Sequence, residues 1–535
     1  MDQETKVCQN CKKDFTITSE DFNFYEKMKV PPPTFCPDCR MMRRLAHRNE
    51  RTLYRRACDL CKKESVSIYP PETPWPVYCT SCWWSDAWNV KDFSIEYDSG
   101  KSFFDQFKKL QTKVPRIGLL SLTSINSEYT NNSADNKNCY LLFAAEQNED
   151  CMYGRLVQHC KSVVDGAWVY DSELCYECLD VRACHSCMFC ERCQTSTGLL
   201  FCFDARDSQD CILSTNLRHA QYYIENKKYS KEEYLAKKQE ILSSRESIED
   251  AKKRFEELKT ETIVKYAYAT KCANATGDYL YNCHHSRFMF DASNTKDCAY
   301  MADAEDPVDF LDGNNVYYKP ERCLDIMGTI QSYNSKFSTF LFYCTNVEYS
   351  DNMHNCNDCF GCIGLKKSQH CIFNKQYEKE EYEKLREQII ANMKERGEYG
   401  EFFSVKLSPF KYNETLAKDY YPNPDEEEIK TGTYGKENSK DIFACVDCKK
   451  NFKLTAAELD FYKHMGLPLP LKDFECRLQD RINKRNPRKL WHRQCMCDKS
   501  SHGHDGKCQN EFETSYSPDR KEIIYCEQCY QQEVV

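Results

Sequence analysis

Cysteines in the middle of the chain recur with a period of three residues, which excludes most ways of folding this segment. Eleven cysteines lie from Cys139 to Cys211, and all of them occupy the same phase of the period. From Ser172 to Leu217 every third residue is Ser, Cys, Val, Leu or Ala, so none of these positions is charged. An α-helix would spread such residues around its surface, and a strand repeats every two residues. The pattern predicts a β-solenoid, in which stacked coils align small inward side chains into ladders.

The same segment is duplicated, and its two copies favour packing over metal binding by the central cysteines. Residues from about 130 to 242 recur at about 275 to 390. Four cysteines of the first copy have the spacing of an iron–sulfur or zinc motif. These cysteines and their counterparts are Cys184 and Ser332, Cys187 and Ser335, Cys190 and Ser338, and Cys193 and Leu341. Because serine replaces a small buried side chain but not a metal-bound thiolate, we predict packing residues. A metal cluster confined to the first copy is the alternative.

The pattern changes after each copy of the duplicated segment, and these changes set the predicted domain boundaries. Charged stretches from Tyr229 to about Lys259 and from Tyr377 to about Lys394 predict helices that flank the open ends of the coils. Steps of nine residues are prominent among the cysteines, and we prefer a coil of 18 residues. The predicted parts are residues 1–92, 93–262 and 263–407, a linker at 408–440, and residues 441–535.

The two ends of the chain are copies of one another. At an offset of 437 residues, the segment beginning at Cys8 matches the segment beginning at Cys445, and the register holds to Leu53 and Leu490. Ten extra residues then intervene in the C-terminal copy, and the match resumes with Cys61 against Cys508. Each end therefore consists of two cysteine-containing halves joined by an arginine-rich segment.

The N-terminal copy carries two complete sets of Cys-x-x-Cys pairs. Zinc takes four soft ligands in a tetrahedron, and each pair directs two sulfur atoms toward one point. Two such pairs at this separation are typical of a zinc ribbon. Iron is a further occupant of four-thiolate sites, although the ligand chemistry favours zinc. The predicted ligands are Cys8, Cys11, Cys36 and Cys39 in the first half, and Cys58, Cys61, Cys79 and Cys82 in the second.

The C-terminal copy differs from this pattern at both sites. Asp473 stands where the N-terminal copy has Cys36, so the first site becomes either a mixed site or a copy without metal. In the second site, either Cys495 or Cys497 must supply the fourth ligand. The inserted stretch carries Cys497, His502 and His504, which either complete this site, form a second and weaker one, or lie in a flexible solvent-exposed loop. The predicted ligands are Cys445, Cys448, Asp473 and Cys476, and then Cys495, Cys497, Cys508, Cys526 and Cys529. We expect three to four zinc ions in total.

The arginine-rich segments between the cysteine pairs are the strongest indication of a binding function. Arginines at helical spacing can present guanidinium groups to phosphates along one face. Trp83, Trp84 and Trp88 lie nearby and could stack on bases. The predicted nucleic-acid-binding residues are Arg40, Arg44, Arg48, Arg51 and Arg55 at the N-terminal end, and Arg477, Arg481, Arg485 and Arg488 at the C-terminal end. DNA and RNA are both candidate partners.

Two other interpretations compete with nucleic-acid binding. The ends are slightly basic and the middle is acidic, so the arginines could instead dock the ends on the solenoid of the same chain, as in a protein-interaction scaffold. An enzyme of unidentified activity is the third hypothesis. The sequence contains no phosphate-binding loop, no Gly-x-Ser-x-Gly elbow and no His-Glu-x-x-His motif. We therefore predict a non-catalytic protein, with no catalytic residue assigned.

Composition limits the class and location of the protein. The start of the chain is too polar for a secretory signal, and no apolar run approaches the about 20 residues of a membrane span. We therefore expect a cytoplasmic protein without a membrane partner. Its 36 cysteines should then be largely reduced, which favours metal ligation over disulfides at the paired sites. A net charge of −9 gives no general reason to expect a polyanionic partner.

The cysteine pattern of the N-terminal end resembles the "probable zinc-ribbon" domain of uncharacterised bacterial proteins. The residues that carry this resemblance are Cys8, Cys11, Lys12, Lys13, Phe15, Phe24, Tyr25, Cys36, Cys39 and Arg40. The whole arrangement is similar to a large family of multi-cysteine proteins from uncultivated bacteria. The resemblance implies zinc binding and supplies no activity. The predicted fold class is mainly β with flanking helices: a duplicated β-solenoid-like centre with paired zinc ribbons at both ends.

Overall fold

The computed structural model describes residues 2–423 and 442–535. Within them the protein is mainly β, as predicted, with eleven α-helices. Its largest sheet has twelve strands and lies in the second half of the duplicated segment. We name the parts by the predicted boundaries: the N-terminal module (residues 2–92), the first central module (93–262), the second central module (263–407) and the C-terminal module (442–535).

The N-terminal module consists of short antiparallel hairpins and helices. Its first helix begins at a capping box, in which Thr18 and Asp21 each accept a hydrogen bond from the other's backbone N–H. Pro37 occupies the first turn of the next helix, where its missing N–H costs nothing. The elements are β1 (Glu4–Val7), β2 (Asp14–Ile17), α1 (Ser19–Met28), α2 (Pro37–Leu45), β3 (Tyr54–Ala57), β4 (Glu64–Ser67), β5 (Val77–Tyr78) and α3 (Thr80–Trp84).

The first central module is a stack of parallel strands that ends in two helices. Its elements are α4 (Phe103–Gln111), β6 (Arg116–Ile117), β7 (Ser121–Leu122), β8 (Ser133–Ala134), β9 (Tyr140–Phe143), β10 (Met152–Gln158), β11 (Ala167–Tyr170), β12 (Leu179–Arg182), β13 (Leu200–Phe203), β14 (Ile212–Thr215), β15 (Tyr223–Ile224), β16 (Lys227–Lys228), α5 (Lys231–Leu242) and α6 (Arg245–Glu261). The two helices after β16 match the flanking helix predicted there.

The backbone of this module returns to the same position every 12 residues. Tyr140 pairs with Met152, Ala167 pairs with Leu179, and isolated bridges continue the same separation through the stack. The preferred coil length of 18 residues is therefore wrong. Bridges start at every third residue within a coil, so a coil has four sides of three residues each. The three-residue period thus reports the length of one side and not the length of the whole coil.

Each side of the coil ends at a residue with a left-handed backbone. Positive φ recurs at every third position, as at Asn138 (54°), Leu141 (50°) and Ala144 (50°). This conformation is unfavourable for most residues, although asparagine and aspartate tolerate it better. Bonds between coils offset the cost: the N–H of Asn138 donates to the carbonyl of Ile125 at 2.9 Å, and its side chain donates to Asp150 at 3.0 Å.

Cysteine and serine make the same hydrogen bond inside the stack, which explains their exchange between the copies. The Cys190 Sγ donates to the carbonyl of Met188 at 3.2 Å, and Ser338 Oγ donates to the carbonyl of Lys336 at 2.8 Å. The Cys190 side chain is fully buried in the interior of the stack, among the other residues of the three-residue period. The central cysteines thus fill the core, and none of them belongs to a potential metal group among the described residues.

Replacing Cys190 with serine is expected to change the free energy of unfolding by about 1 kcal/mol or less, because the hydroxyl can make the same bond. Cys190→Asp should destabilise the protein much more, because a carboxylate would be buried without a partner. Thermal unfolding and metal analysis of both variants test this. Loss of iron or zinc from the serine variant would favour a cluster in the first copy.

The second central module repeats the stack as one long sheet. Its elements are β17 (Ile263–Lys265), β18 (Ala269–Thr270), β19 (Ala273–Tyr281), β20 (His284–Ser293), β21 (Lys296–Glu305), β22 (Val308–Tyr317), β23 (Leu324–Ile330), β24 (Lys336–Phe342), β25 (Thr345–Glu348), β26 (Asp351–His354), β27 (Asn357–Phe360), β28 (Gln369–Ile372), β29 (Lys375–Gln376) and α7 (Lys379–Glu395). The final helix again matches the prediction. Tyr318 and Lys319 both have positive φ, and they mark one extra residue that shifts the period in this copy.

The C-terminal module follows the order of the N-terminal one. Its described elements, with the short helix that precedes the module, are α8 (Ala417–Tyr420), β30 (Phe443–Ala444), β31 (Asn451–Phe452), α9 (Ala456–Met465), α10 (Phe474–Lys484), β32 (Trp491–Gln494), β33 (Glu511–Thr514), β34 (Ile523–Tyr525) and α11 (Glu527–Val534). Residues 424–440 of the predicted linker lie outside the described residues. The described part of it packs on the N-terminal module, where the Leu416 N–H donates to the carbonyl of Arg48 at 3.0 Å.

The end modules pack on the central modules in a crossed arrangement. Helix α2 lies against β22 and β23 of the second central module, whereas α10 lies against β10 and β11 of the first. Each end module also adds a short parallel strand to the start of a central module, β5 beside β6 and β34 beside β17. Because both contacts occur twice, the duplication extends to the way the parts assemble.

Candidate metal centres

The four cysteines of the first N-terminal site converge as the spacing predicts. Cys8 begins a tight turn between β1 and β2, and Cys36 is the N-cap of α2. The Cys11 and Cys36 sulfur atoms lie 3.7 Å apart, and the Cys36 backbone N–H donates to the Cys8 Sγ at 3.2 Å. All four sulfur atoms, including that of Cys39, lie within 4.8 Å of one another.

The second N-terminal site repeats this geometry. Cys79 caps α3, its N–H donates to the Cys58 Sγ at 3.2 Å, and its sulfur lies 3.9 Å from that of Cys61. Cys82 completes the group. Around one zinc ion with Zn–S bonds of about 2.3 Å, tetrahedral ligands lie about 3.8 Å apart. The sulfur separations in both sites therefore fit a four-coordinate ion.

The first C-terminal site brings Asp473 into the position of the missing cysteine. The Cys448 Sγ donates to Oδ2 of Asp473 at 2.6 Å, and Oδ1 accepts the backbone N–H of Cys476 at 2.9 Å. Asp473 is also the N-cap of α10, a position that favours aspartate. With Cys445 these residues form a group that could hold a metal through three sulfur atoms and one carboxylate oxygen.

Replacing Asp473 with cysteine is expected to tighten zinc binding at this site by about tenfold or more, because a thiolate is the softer ligand. Asp473→Asn is the matched control, since asparagine keeps the helix cap but is a poor zinc ligand. Competition with a colour-forming chelator measures the effect. We expect one ion to become more resistant in the cysteine variant and less resistant in the asparagine variant; equal retention in all three proteins would contradict a metal role for this position.

Cys495, rather than Cys497, joins the last C-terminal site. The Cys526 N–H donates to the Cys495 Sγ at 3.2 Å, as Cys79 does to Cys58 in the N-terminal copy. The four sulfur atoms of this site belong to Cys495, Cys508, Cys526 and Cys529. The ten inserted residues thus lie inside the Cys-x-x-Cys turn itself. Cys497 instead groups with His504 and Cys529.

The predicted nucleic-acid-binding arginines are largely buried, which corrects the expectation that they present a free basic face. Their side chains form ion pairs with carboxylates of the same chain. The buried ones are Arg40, Arg44, Arg48, Arg51, Arg477, Arg481 and Arg488, the side chain of Arg485 is 6% exposed, and Arg55 is exposed. Six of these arginines pair with carboxylates of the central modules, which agrees with the alternative that basic ends dock on the acidic centre: Arg40, Arg44, Arg477, Arg481, Arg485 and Arg488. Arg48 pairs with Glu50 of its own module, and Arg51 pairs with Asp419 and Glu475.

Two equivalent aspartates hold the arginine helices on the coils. Asp312 is 1% exposed and lies 2.9 Å from Nε of Arg40 and 3.1 Å from Arg44. Asp165 is fully buried and lies 3.2 Å from Arg477 and 2.9 Å from Arg481. Burial acts to lower the pKa of Arg40 and of Arg477, but Asp312 and Asp165 outweigh it and raise both pKa values well above the ordinary range.

A second pair of equivalent contacts joins the capping boxes to the coils. The Tyr300 hydroxyl donates to the Asp21 carboxylate at 3.0 Å. At the other end, the Tyr153 hydroxyl donates to Glu458, the acidic residue of the corresponding capping box. The acidic residue of each capping box therefore also binds the central module on which that end docks.

All four parts of the chain meet at one buried group of charges. Glu50 accepts from Arg48 at 2.7 Å and from Arg155 of the first central module at 2.8 Å. Arg488 of the C-terminal module lies 2.7 Å from Asp303 of the second central module, whose other oxygen is 4.0 Å from Arg155. Burial raises the pKa of Glu50, but Arg155 and Arg48 outweigh it and lower the pKa to about 2.

The predicted base-stacking tryptophans also have partners within the chain. Trp83 is fully buried. The Lys366 ammonium lies about 5 Å from the ring centres of Trp83, Trp84 and Trp88.

The sequence predictions assign no function to Asp165 or Asp312. Their equivalent positions in the two copies were the available indication of a role, because each buried arginine helix needs an acidic partner.

The comparisons with known proteins do not identify a family. No protein-family profile matches the sequence, and a search of curated proteins returns no match. One solved structure, described as a "putative acetyltransferase from Desulfovibrio desulfuricans G20", is similar over 49% of this chain and 69% of that chain at 10% identity. Its TM-score of 0.11 is too low to indicate a shared fold.

Among the described residues, no helix combines the length and apolar character needed to cross a membrane.

Proposed function

We propose that this protein is a non-catalytic zinc-binding scaffold. Zinc ribbons at each end fold the end modules, and arginine helices fix those modules on a duplicated, four-sided β-solenoid. The observation that carries the proposal is the repeated ion-pair arrangement, Arg40 and Arg44 on Asp312 and Arg477 and Arg481 on Asp165. The zinc ribbons and the solenoid are part of this proposal.

Electrostatics favours the scaffold over nucleic-acid binding. A nucleic-acid site needs guanidinium groups that can reach phosphates. Each such contact makes the binding affinity fall more steeply with salt concentration. Guanidinium groups that are buried against carboxylates cannot exchange these partners for phosphates without undocking an end module. The scaffold would therefore engage its partners, which we take to be proteins, through its outer surfaces.

Two measurements on the full chain test the proposal. Metal analysis after purification without chelators should find zinc at three to four ions per chain or more, and no stoichiometric iron with inorganic sulfide. Fluorescence anisotropy with single- and double-stranded DNA and RNA should show no binding that falls steeply from 50 to 200 mM salt, the range over which about 6–10 phosphate contacts lose about 10³–10⁵ in affinity. Tight, salt-sensitive binding would overturn the scaffold in favour of nucleic-acid recognition.

A variant of Arg55 further distinguishes nucleic-acid binding from the scaffold proposal. It is the exposed member of the predicted set, and its guanidinium contacts the Tyr129 hydroxyl at 3.0 Å. Arg55→Glu reverses the charge of this exposed side chain, and thermal unfolding of the variant checks that the fold is kept. If nucleic acid binds through this end, the variant should weaken that binding; under the scaffold proposal it has no such binding to weaken.

A further inference from the structure

The insertion in the C-terminal ribbon places three additional ligand-type side chains beside the last cysteine site. The inserted loop follows Cys495 and brings Cys497 and His504 beside Cys529, with His502 next to Cys497. The His504 Nε2 lies 3.5 Å from the Cys529 Sγ, and the His502 Nδ1 lies 3.2 Å from the Cys497 Sγ. The N-terminal copy has no counterpart of this loop, so this cluster is specific to one end.

The hydrogen bonds of both histidines leave the correct nitrogen free for a metal. The Nδ1 of His504 lies 2.8 Å from the carbonyl oxygen of Gly506, which can only accept, so Nδ1 carries the proton and Nε2 has a lone pair. His502 lies 3.3 Å from the Glu533 carboxylate through Nε2, which leaves the lone pair on Nδ1. Metal-bound histidines are commonly held in this way, with the second nitrogen donating to a carbonyl or carboxylate.

The separations also fit a shared ion. With bonds of about 2.0–2.1 Å to nitrogen and about 2.3 Å to sulfur, nitrogen and sulfur ligands of a tetrahedral zinc lie about 3.5 Å apart. The ligand atoms of Cys497, His504 and Cys529 lie within 4.8 Å of one another, and both cysteines are buried. His502 lies outside this group of three, but it is buried and its Nδ1 contacts the Cys497 Sγ at 3.2 Å.

We propose that the C-terminal ribbon binds two metal ions that share the Cys529 thiolate. The first ion binds Cys495, Cys508, Cys526 and Cys529. The second binds Cys497 and His504, with Cys529 as the bridging ligand, and is a divalent ion of the zinc class because these ligands are two thiolates and an imidazole. His502, whose Nδ1 lies 3.2 Å from the Cys497 Sγ, is the side chain nearest to supply the fourth ligand. This inference rests on the proposed zinc binding and adds a site to it.

Metal stoichiometry of full-length variants tests the second ion. The double variant His502→Gln/His504→Gln should bind one zinc ion fewer than the unchanged protein while its thermal unfolding of the central β structure stays the same. His492→Gln is the matched control, because His492 is exposed in the same module and pairs with Glu511 and Glu513 instead. It should lose no ion. Equal zinc in the double variant and the unchanged protein would overturn the second site.

Cobalt substitution tests the shared thiolate directly in the unchanged protein, with the double histidine variant as the control. Two cobalt(II) ions that share a sulfur ligand couple magnetically, so the electron paramagnetic resonance signal per ion should fall as the last equivalent binds. In the double variant the signal should stay proportional to bound cobalt. Proportional signal up to saturation in the unchanged protein would show that no thiolate is shared and would overturn the bridge.

Failure of this inference is distinguishable from failure of the proposed zinc binding. If Cys36→Ser and Cys79→Ser each lose one ion but the double histidine variant loses none, the zinc ribbons stand and the second ion is wrong. If none of these variants changes the zinc content, zinc binding itself is wrong. Loss of two ions from the double histidine variant would also overturn the inference, because the first ion keeps its four cysteine ligands in that variant.

Discussion

Asp312→Ala is expected to lower the free energy that holds the N-terminal module on the second central module by about 3–5 kcal/mol. The change leaves the buried Arg40 without the carboxylate it pairs with, whereas Arg44 keeps Asp325 at 2.9 Å. An unpaired buried charge costs more than the pair contributed. Hydrogen exchange of α2 and urea denaturation measure the effect. We expect α2 to exchange much faster, while the coils of the first central module keep their protection.

The controls for Asp312→Ala are a surface aspartate and its equivalent at the other end. Asp309 pairs with Lys27, whose side chain is 44% exposed, so Asp309→Ala should cost only about 0–1 kcal/mol. Asp165→Ala should reproduce the large effect, but at α10 instead of α2. If Asp312→Ala were no worse than Asp309→Ala, the arginine helices would not depend on this pairing and the scaffold proposal would lose its main support.

Removing the metal is expected to unfold the end modules while the coils persist. Structural zinc contributes about 10–16 kcal/mol to the folding of small zinc domains. The end modules rely on hairpins with strands of two to four residues, whereas the coils have continuous backbone bonds and a buried interior. After treatment with a strong chelator, proteases should therefore cut within residues 2–92 and 442–535 first.

Peptide mapping over time checks this order of cleavage. The coil region from about residue 120 to 376 should stay intact longest and keep its β-type circular dichroism. Cys36→Ser should reproduce the effect at the N-terminal end alone, whereas Cys190→Ser should not produce it. Simultaneous cleavage throughout the chain, or resistance of the ends without metal, would contradict a structural role for zinc.

The three-residue period predicted stacked coils but could not give their length. A period fixes which residues point inward along one side, whereas the number of sides depends on how sharply the backbone turns at each left-handed residue. The prominent nine-residue spacing reflects contacts between successive coils. Cys175 donates to the carbonyl of Glu173 and also to that of Cys184, nine residues on, because the next coil brings that carbonyl alongside.

The arginine helices were recognised from the sequence, but their partners were not. Arg40 and Asp312 are separated by 272 positions, so no local pattern relates them. A basic helical face has the same appearance whether it meets phosphates or the chain's own carboxylates. Only the packing of α2 on the coils decides between these, since it makes Asp312 inaccessible to solvent.

The sequence alone determined what is local and repeated in this protein: the cysteine pairs, the duplicated ends and centre, and the small interior positions of the coils. Each follows from spacing along the chain, because a turn or a side of a coil involves neighbouring residues. The tertiary structure decided the coil of twelve residues, the choice of Cys495 over Cys497, and the crossed docking of the ends. These depend on residues far apart in sequence, whose approach is set by packing and by the need to pair every buried charge.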